Sequence, residues 1–195
     1  KAIFDHATTG SDDMTIDYSA APISVVPDMF VTSTIAMLNP YLADADTITL
    51  DDVSILGAAF SGDGGDNLAP KSDTINITAS EFGVYVGDNY QIVANGSNGY
   101  VAAKDTITIN STADAWVSGD VSIVNSNTTG IVSTLTFGDD IITDQSAAGL
   151  NTITMIGDVS GTWTGSDDYD FFLGDDTISG GAGDNDIFGD VREIH

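Results

Sequence analysis

The chain has 195 residues, of which 42% are hydrophobic, which suits one domain able to enclose a core. Thirty acidic residues against four basic ones give a net charge of -26, which excludes nucleic acid and anionic membrane surfaces as partners. The lack of cysteine removes disulfides, thiol catalysis and Cys-based zinc sites, and no apolar run approaches the ~20 residues of a membrane span.

Of the acids, only Glu81 and Glu193 are glutamate. Aspartate favours turns, caps and hard-cation sites, whereas an acidic helical protein would favour glutamate. Cations are the natural partner.

The chain opens on Lys1 with no secretion signal, so it reads as a processed chain or a fragment. Residues 1–45 form an N-terminal segment. Within it, Thr9-Gly10-Ser11-Asp12-Asp13 is a Gly/Asp half-motif, and Asp28–Asn39, between Pro27 and Pro40, is compatible with helix or strand.

Residues 46–161 hold a long repeat. Strand-like units start at Asp46, Asp73, Asp105 and Asp140, which lie 27, 32 and 35 residues apart. Each is followed by a Gly-Asp turn, at Gly62-Asp63, Gly87-Asp88, Gly119-Asp120 and Gly157-Asp158. The offsets from leading to turn aspartate are 17, 15, 15 and 18 residues. Polar/apolar alternation with β-branched residues predicts half-buried strands, and the Gly/Asn/Asp clusters predict turns. The predicted architecture is all-β, a parallel β-solenoid or β-roll-like stack of short strands with coils of about 16–18 residues. The alternative is a β-sandwich carrying a short C-terminal calcium roll.

Residues 162–195 contain three nonapeptides, TWTGSDDYD, FFLGDDTIS and GGAGDNDIF. They align Gly165, Gly174 and Gly183 in one column, Asp167, Asp176 and Asn185 in another, and Tyr169, Ile178 and Ile187 in a third. Gly62, Gly64, Asp66 and Leu68 fit the same columns in isolation. Glycines let such a loop turn tightly with its carbonyls inward, the aspartate adds charge, and the bulky residue packs into the core. Six or so oxygens at ~2.3–2.6 Å suit Ca²⁺ better than Mg²⁺.

On these residues, Thr162 to Phe188 resembles the RTX, or hemolysin-type, calcium-binding repeat family. The resemblance implies a parallel β-roll with Ca²⁺ between loops two repeats apart. It places the Gly165–Asp167 and Gly183–Asn185 loops on one edge and Gly174–Asp176 on the other. Only Gly180-Gly181 supplies paired glycines, and Asn185, flanked by Asp184 and Asp186, replaces the usual aspartate. One full and one partial site are expected there, with Gly181 among the ligands and Asp12 and Asp66 as outlying candidates. The competing reading of these residues is ordinary Asx-turn chemistry between strands. Stacked aspartates argue against it, because two carboxylates 4 Å apart repel by about 4 kcal/mol at an effective dielectric of 20.

Catalytic constellations are poor. His6 and His195 sit near opposite ends of the chain, and no nucleophile elbow is present. Asp51-Asp52 and Asp139-Asp140 fall in repeat phase, so scaffold or ion ligation explains them better than a glycosidase pair. Trp116, Trp163, Phe171 and Phe172 suit a core or cap better than a sugar-binding surface. The sequence therefore predicts a non-enzymatic, secreted or cell-surface calcium-binding structural module that self-associates or joins neighbouring modules. The alternative is the calcium-binding accessory region of a type I-secreted enzyme whose catalytic part lies elsewhere.

Overall fold

In Asp105-Thr106-Ile107-Thr108-Ile109, successive side chains must face opposite sides of an extended backbone. Ile107 and Ile109 are fully buried, and Thr106 and Thr108 are half-buried on the other face. A fully buried isoleucine contributes roughly 1.5–3 kcal/mol, so one such strand is secured mainly by two side chains. The same alternation recurs in Thr74–Ala79, with Ile75 and Ile77 inside.

The computed structural model describes residues 13–17, 47–53, 58–61, 70–94, 100–126, 133–149, 151–159, 163–164 and 169–192. Among these the regular elements are all strands, in four sheets. Sheet I runs β1 (Asp13–Asp17), β2 (Thr47–Val53), β4 (Thr74–Ala79), β8 (Thr106–Ser111), β12 (Ile141–Asp144), β16 (Thr177–Ser179). Sheet II runs β3 (Ala58–Ser61), β5 (Gly83–Val86), β9 (Ala115–Ser118), β13 (Thr152–Ile156), β17 (Asp184–Phe188). Sheet III is β6 (Asn89–Ala94), β10 (Val121–Ser126) and β14 (Trp163–Thr164). Sheet IV is β7 (Tyr100–Val101), β11 (Ser133–Thr136) and β15 (Tyr169–Phe172).

The chain visits sheets I to IV in turn and returns one strand over. Ile75 pairs with Ile107, Ile107 with Ile142, and Ile142 with Ile178, all in parallel. The fold is a solenoid-like stack of parallel strands, as the repeats predict. Pairing is parallel throughout the described residues.

The coil length differs from expectation. Bonds between equivalent residues of successive coils span 32, 35 and 36 residues, so one coil is the whole long repeat rather than 16–18 residues. The reason lies in the cores. Ile107, Val117, Ile142 and Met155 belong to one apolar cluster between sheets I and II. Tyr100, Val121, Leu135, Phe137 and Val159 form a second, where sheets III and IV approach. Each half-repeat wraps its own core, and the two halves close one coil only together. β16 and β17 continue sheets I and II directly, so the nonapeptide stretch belongs to the same stack as the strands before it.

Candidate metal centre

The two lobes meet where the β5–β6, β9–β10 and β13–β14 corners touch the corners that lead into β8, β12 and β16. The first kind of corner carries Gly-Asp, and the second carries the leading aspartate of the next strand. Direct bonds join them across the coil. The N–H of Ala103 donates to Asp88 Oδ2 at 3.0 Å, that of Gly138 to Asp120 Oδ2 at 2.9 Å, and that of Gly174 to Asp158 Oδ1 at 3.3 Å. Two columns of aspartate therefore face each other in a seam between two apolar cores.

The leading column also ties coil to coil. The N–H of Asp73 donates to Asp105 Oδ1, that of Asp105 to Asp140 Oδ1, and that of Asp140 to Asp176 Oδ1, at 2.7, 2.7 and 2.8 Å. One oxygen of each carboxylate is thus committed to the scaffold. The other is not. Asp88 Oδ1, Asp105 Oδ2, Asp120 Oδ1, Asp140 Oδ2, Asp158 Oδ2 and Asp176 Oδ2 are buried and satisfied by no N–H or O–H of the scaffold, although Asp88 lies within hydrogen-bonding reach of the Asp105 and Asp120 carboxyls, and Asp158 of that of Asp120.

Glycine makes the approach possible. A Cβ on Gly119 would collide with Asp140 Oδ2 and the Gly157 carbonyl oxygen, and Gly87 and Gly157 stand in the same relation to Asp105 and Asp176. Carboxylate and carbonyl oxygens of different corners thereby crowd one line.

Such burial is electrostatically costly. Asp88, Asp105, Asp120 and Asp158 are 0% exposed and Asp140 is 1% exposed. Desolvation, reinforced by neighbouring carboxylates, pushes Asp140 up to about 9, Asp158 to about 7 and Asp176 to about 6. Asp88 rises to about 7, chiefly through desolvation, and Asp105 and Asp120 rise well above the ordinary carboxylate range for the same reasons. A buried carboxylate keeps its charge only with a compensating partner. A proton or a cation must fill that role.

At the C-terminal end the columns converge. Carboxylate oxygens of Asp158, Asp176 and Asp190 all lie within 4.8 Å of one another, with Asp158 buried, Asp176 half-buried and Asp190 exposed. This all-oxygen set, with glycine carbonyls beside it, matches the preference of a hard cation such as Ca²⁺.

The other expected ligands fall differently. Gly174 and Asp176 belong to the seam. The Gly181–Asn185 loop stacks on Asn151 and Ile153, one full coil back rather than two nonapeptides back. Asn185 Nδ2 donates to the carbonyls of Gly183 and Gly181 at 2.9 and 3.4 Å, while its Oδ1 is buried without a donor. Asp184 and Asp186 are exposed on β17. Asp12, Asp66, Gly165, Asp167 and the Asp28–Asn39 segment lie outside the described residues.

Sheets I and II meet at a third corner that provides a contrast. Asp144 accepts from Ser146 N at 2.7 Å and Gly181 N at 3.1 Å, so both of its oxygens are satisfied by the scaffold. Asp144 and Ser146 there act as turn chemistry. In the seam the carboxylate oxygens exceed what the scaffold uses.

Comparison with protein-family models, curated proteins and solved structures returns no match to this chain.

Proposed function

We propose that the protein is a calcium-binding structural module, a rod-like β-stack whose folded state depends on cations. The observation that carries this reading is the set of buried carboxylate oxygens along a repeating seam that no N–H or O–H of the scaffold satisfies. A turn needs one oxygen of each aspartate, as Asp105 and Asp140 illustrate, and selection for turns alone does not account for the second. The resemblance of Thr162–Phe188 to RTX repeats names Ca²⁺ as the ion. A charge of -26 supports the same choice, because cations relieve the self-repulsion of the compact state.

An extracellular or cell-surface setting follows from the same chemistry, since extracellular calcium modules work at ~10⁻⁴–10⁻³ M ion. The charge of -26 keeps copies apart until cations screen it, so a surface layer, adhesin or fibre that assembles in calcium is the assembly we favour. An accessory region of a secreted enzyme would carry the same seam and is the second reading.

The experiment is a thermal melt in millimolar calcium and in excess chelator, followed by light scattering during calcium titration. A ligand that binds only the folded chain raises its melting temperature by mass action. Identical melts in both solutions would remove the proposal. A monomer at every calcium concentration would remove self-assembly and leave the accessory reading.

A further inference from the structure

We infer that the seam holds a row of divalent cations, one per coil step, linked by shared aspartates. The inference rests on the cation-binding reading above and assigns the ions to the seam rather than to the Gly181–Asn185 loop.

The geometry is most complete at the Asp158–Asp176–Asp190 triad, the one set among the described residues whose carboxylate oxygens all lie within 4.8 Å of one another. Each of its members has an equivalent one coil earlier: Asp158 replaces Asp190, Asp140 replaces Asp176, and Asp120 replaces Asp158. One further step gives Asp120, Asp105 and Asp88. The register fixes these equivalences, because β9 and β13 pair Ser118 with Ile156, and β8 and β12 pair Thr106 with Ile141. Asp120 and Asp158 each belong to two successive sets, so each supplies bridging oxygens.

Asp88, Asp105, Asp120 and Asp140 are at most 1% exposed, and each keeps one oxygen that no N–H or O–H of the scaffold satisfies, so their carboxyls meet only one another unless an ion lies between them. Those oxygens point into the line between the corners. Asp140 Oδ2 occupies the space beside Gly119 and the Gly157 carbonyl, and Asp105 Oδ2 the space beside Gly87 and the Gly119 carbonyl. At the outer step Asp176 Oδ2 has Gly157 and the Gly189 carbonyl as its neighbours. A carbonyl oxygen has two lone pairs, so it can accept a backbone N–H and still face an ion. Three divalent ions would set six positive charges against the seven carboxylates from Asp88 to Asp190, close to neutrality. Access is graded, with Asp190 exposed, Asp176 half-buried and the inner members closed.

The test compares wild-type full chain with Asp140→Asn, Asp105→Asn, Asp190→Asn and Asp186→Asn. Calcium stoichiometry is read by calorimetry and native mass spectrometry, and melting temperature is read in calcium and in chelator. Wild type should bind at least three ions. Each seam variant should bind fewer than wild type, and Asp186→Asn should match it. Asparagine keeps the Oδ1 acceptor that Asp105 N–H needs, so Asp140→Asn should melt above wild type in chelator and below it in calcium. That inversion separates ion binding from a merely structural role. If wild type binds calcium but Asp140→Asn and Asp105→Asn retain full stoichiometry, the row is wrong while the calcium module stands. If wild type binds no calcium, both fail.

Discussion

The N–H of Asp105 donates to Oδ1 of Asp140, one coil onward, at 2.7 Å, while Oδ2 of Asp140 turns toward the Gly119 corner on the other side of the coil. The same side chain thus splices two coils with one oxygen and faces a second corner with the other. Removing it would break the stack, and keeping it ionised requires a positive partner. Fold and ligand chemistry are joined at one carboxylate.

Gly119→Ala should destabilise the protein by about 1–3 kcal/mol, the usual cost of forcing volume into a packed site. The added Cβ would meet Asp140 Oδ2 and the Gly157 backbone oxygen, neither at the end of a long flexible side chain. Gly189→Ala is the control, because nothing lies within 4 Å of the position its methyl would take. It should change stability by less than about 0.5 kcal/mol. Equal urea midpoints for the two variants would contradict the close approach of the corners.

In chelator, stability should fall as pH rises. Asp88, Asp158 and Asp140 have folded values of about 7, 7 and 9, above the ordinary 3.8. Between 3.8 and those values the folded state holds more protons than the unfolded state, so raising pH favours unfolding. The loss should run from about pH 4 to about pH 9, and calcium should flatten it. Denaturant midpoints across that range, with and without calcium, check the sign. A chelated protein that gains stability from about pH 5 to about pH 8 would contradict the buried placement of these groups.

Much of the seam is legible in the residues. The leading aspartates and Gly-Asp turns mark both columns, and period-two alternation puts Asp105 on the same face as Ile107 and Ile109. That phase is the signal for an inward-facing carboxylate. A strand-opening aspartate suits a turn equally well, however, and the nonapeptide register points to Gly183 and Asn185 instead. The coil length is hidden for a different reason. Spacing reveals how often a motif returns, but not whether a half-repeat pairs with its own next copy. That depends on Val121, Leu135 and Phe137 forming a core separate from that of Ile107 and Ile142, a tertiary fact with no local signature.

Asp144→Ala should destabilise by about 1–3 kcal/mol, since two N–H donors lose their acceptor. Asp144 serves Ser146 and Gly181 with both oxygens, so the loss should be the same in calcium and in chelator. Paired melts of this variant and wild type check it. A loss seen only in calcium would make the corner between sheets I and II an ion site as well.

Anomalous diffraction from crystals grown with calcium, or with a lanthanide in its place, tests the central claim most directly. The account predicts a row of anomalous peaks between the Asp88–Asp120–Asp158 and Asp105–Asp140–Asp176 columns, spaced by about the 4.7–4.9 Å separation of neighbouring strands. An empty seam, with its carboxyls bonded to one another through shared protons and the metal peaks elsewhere, would contradict it.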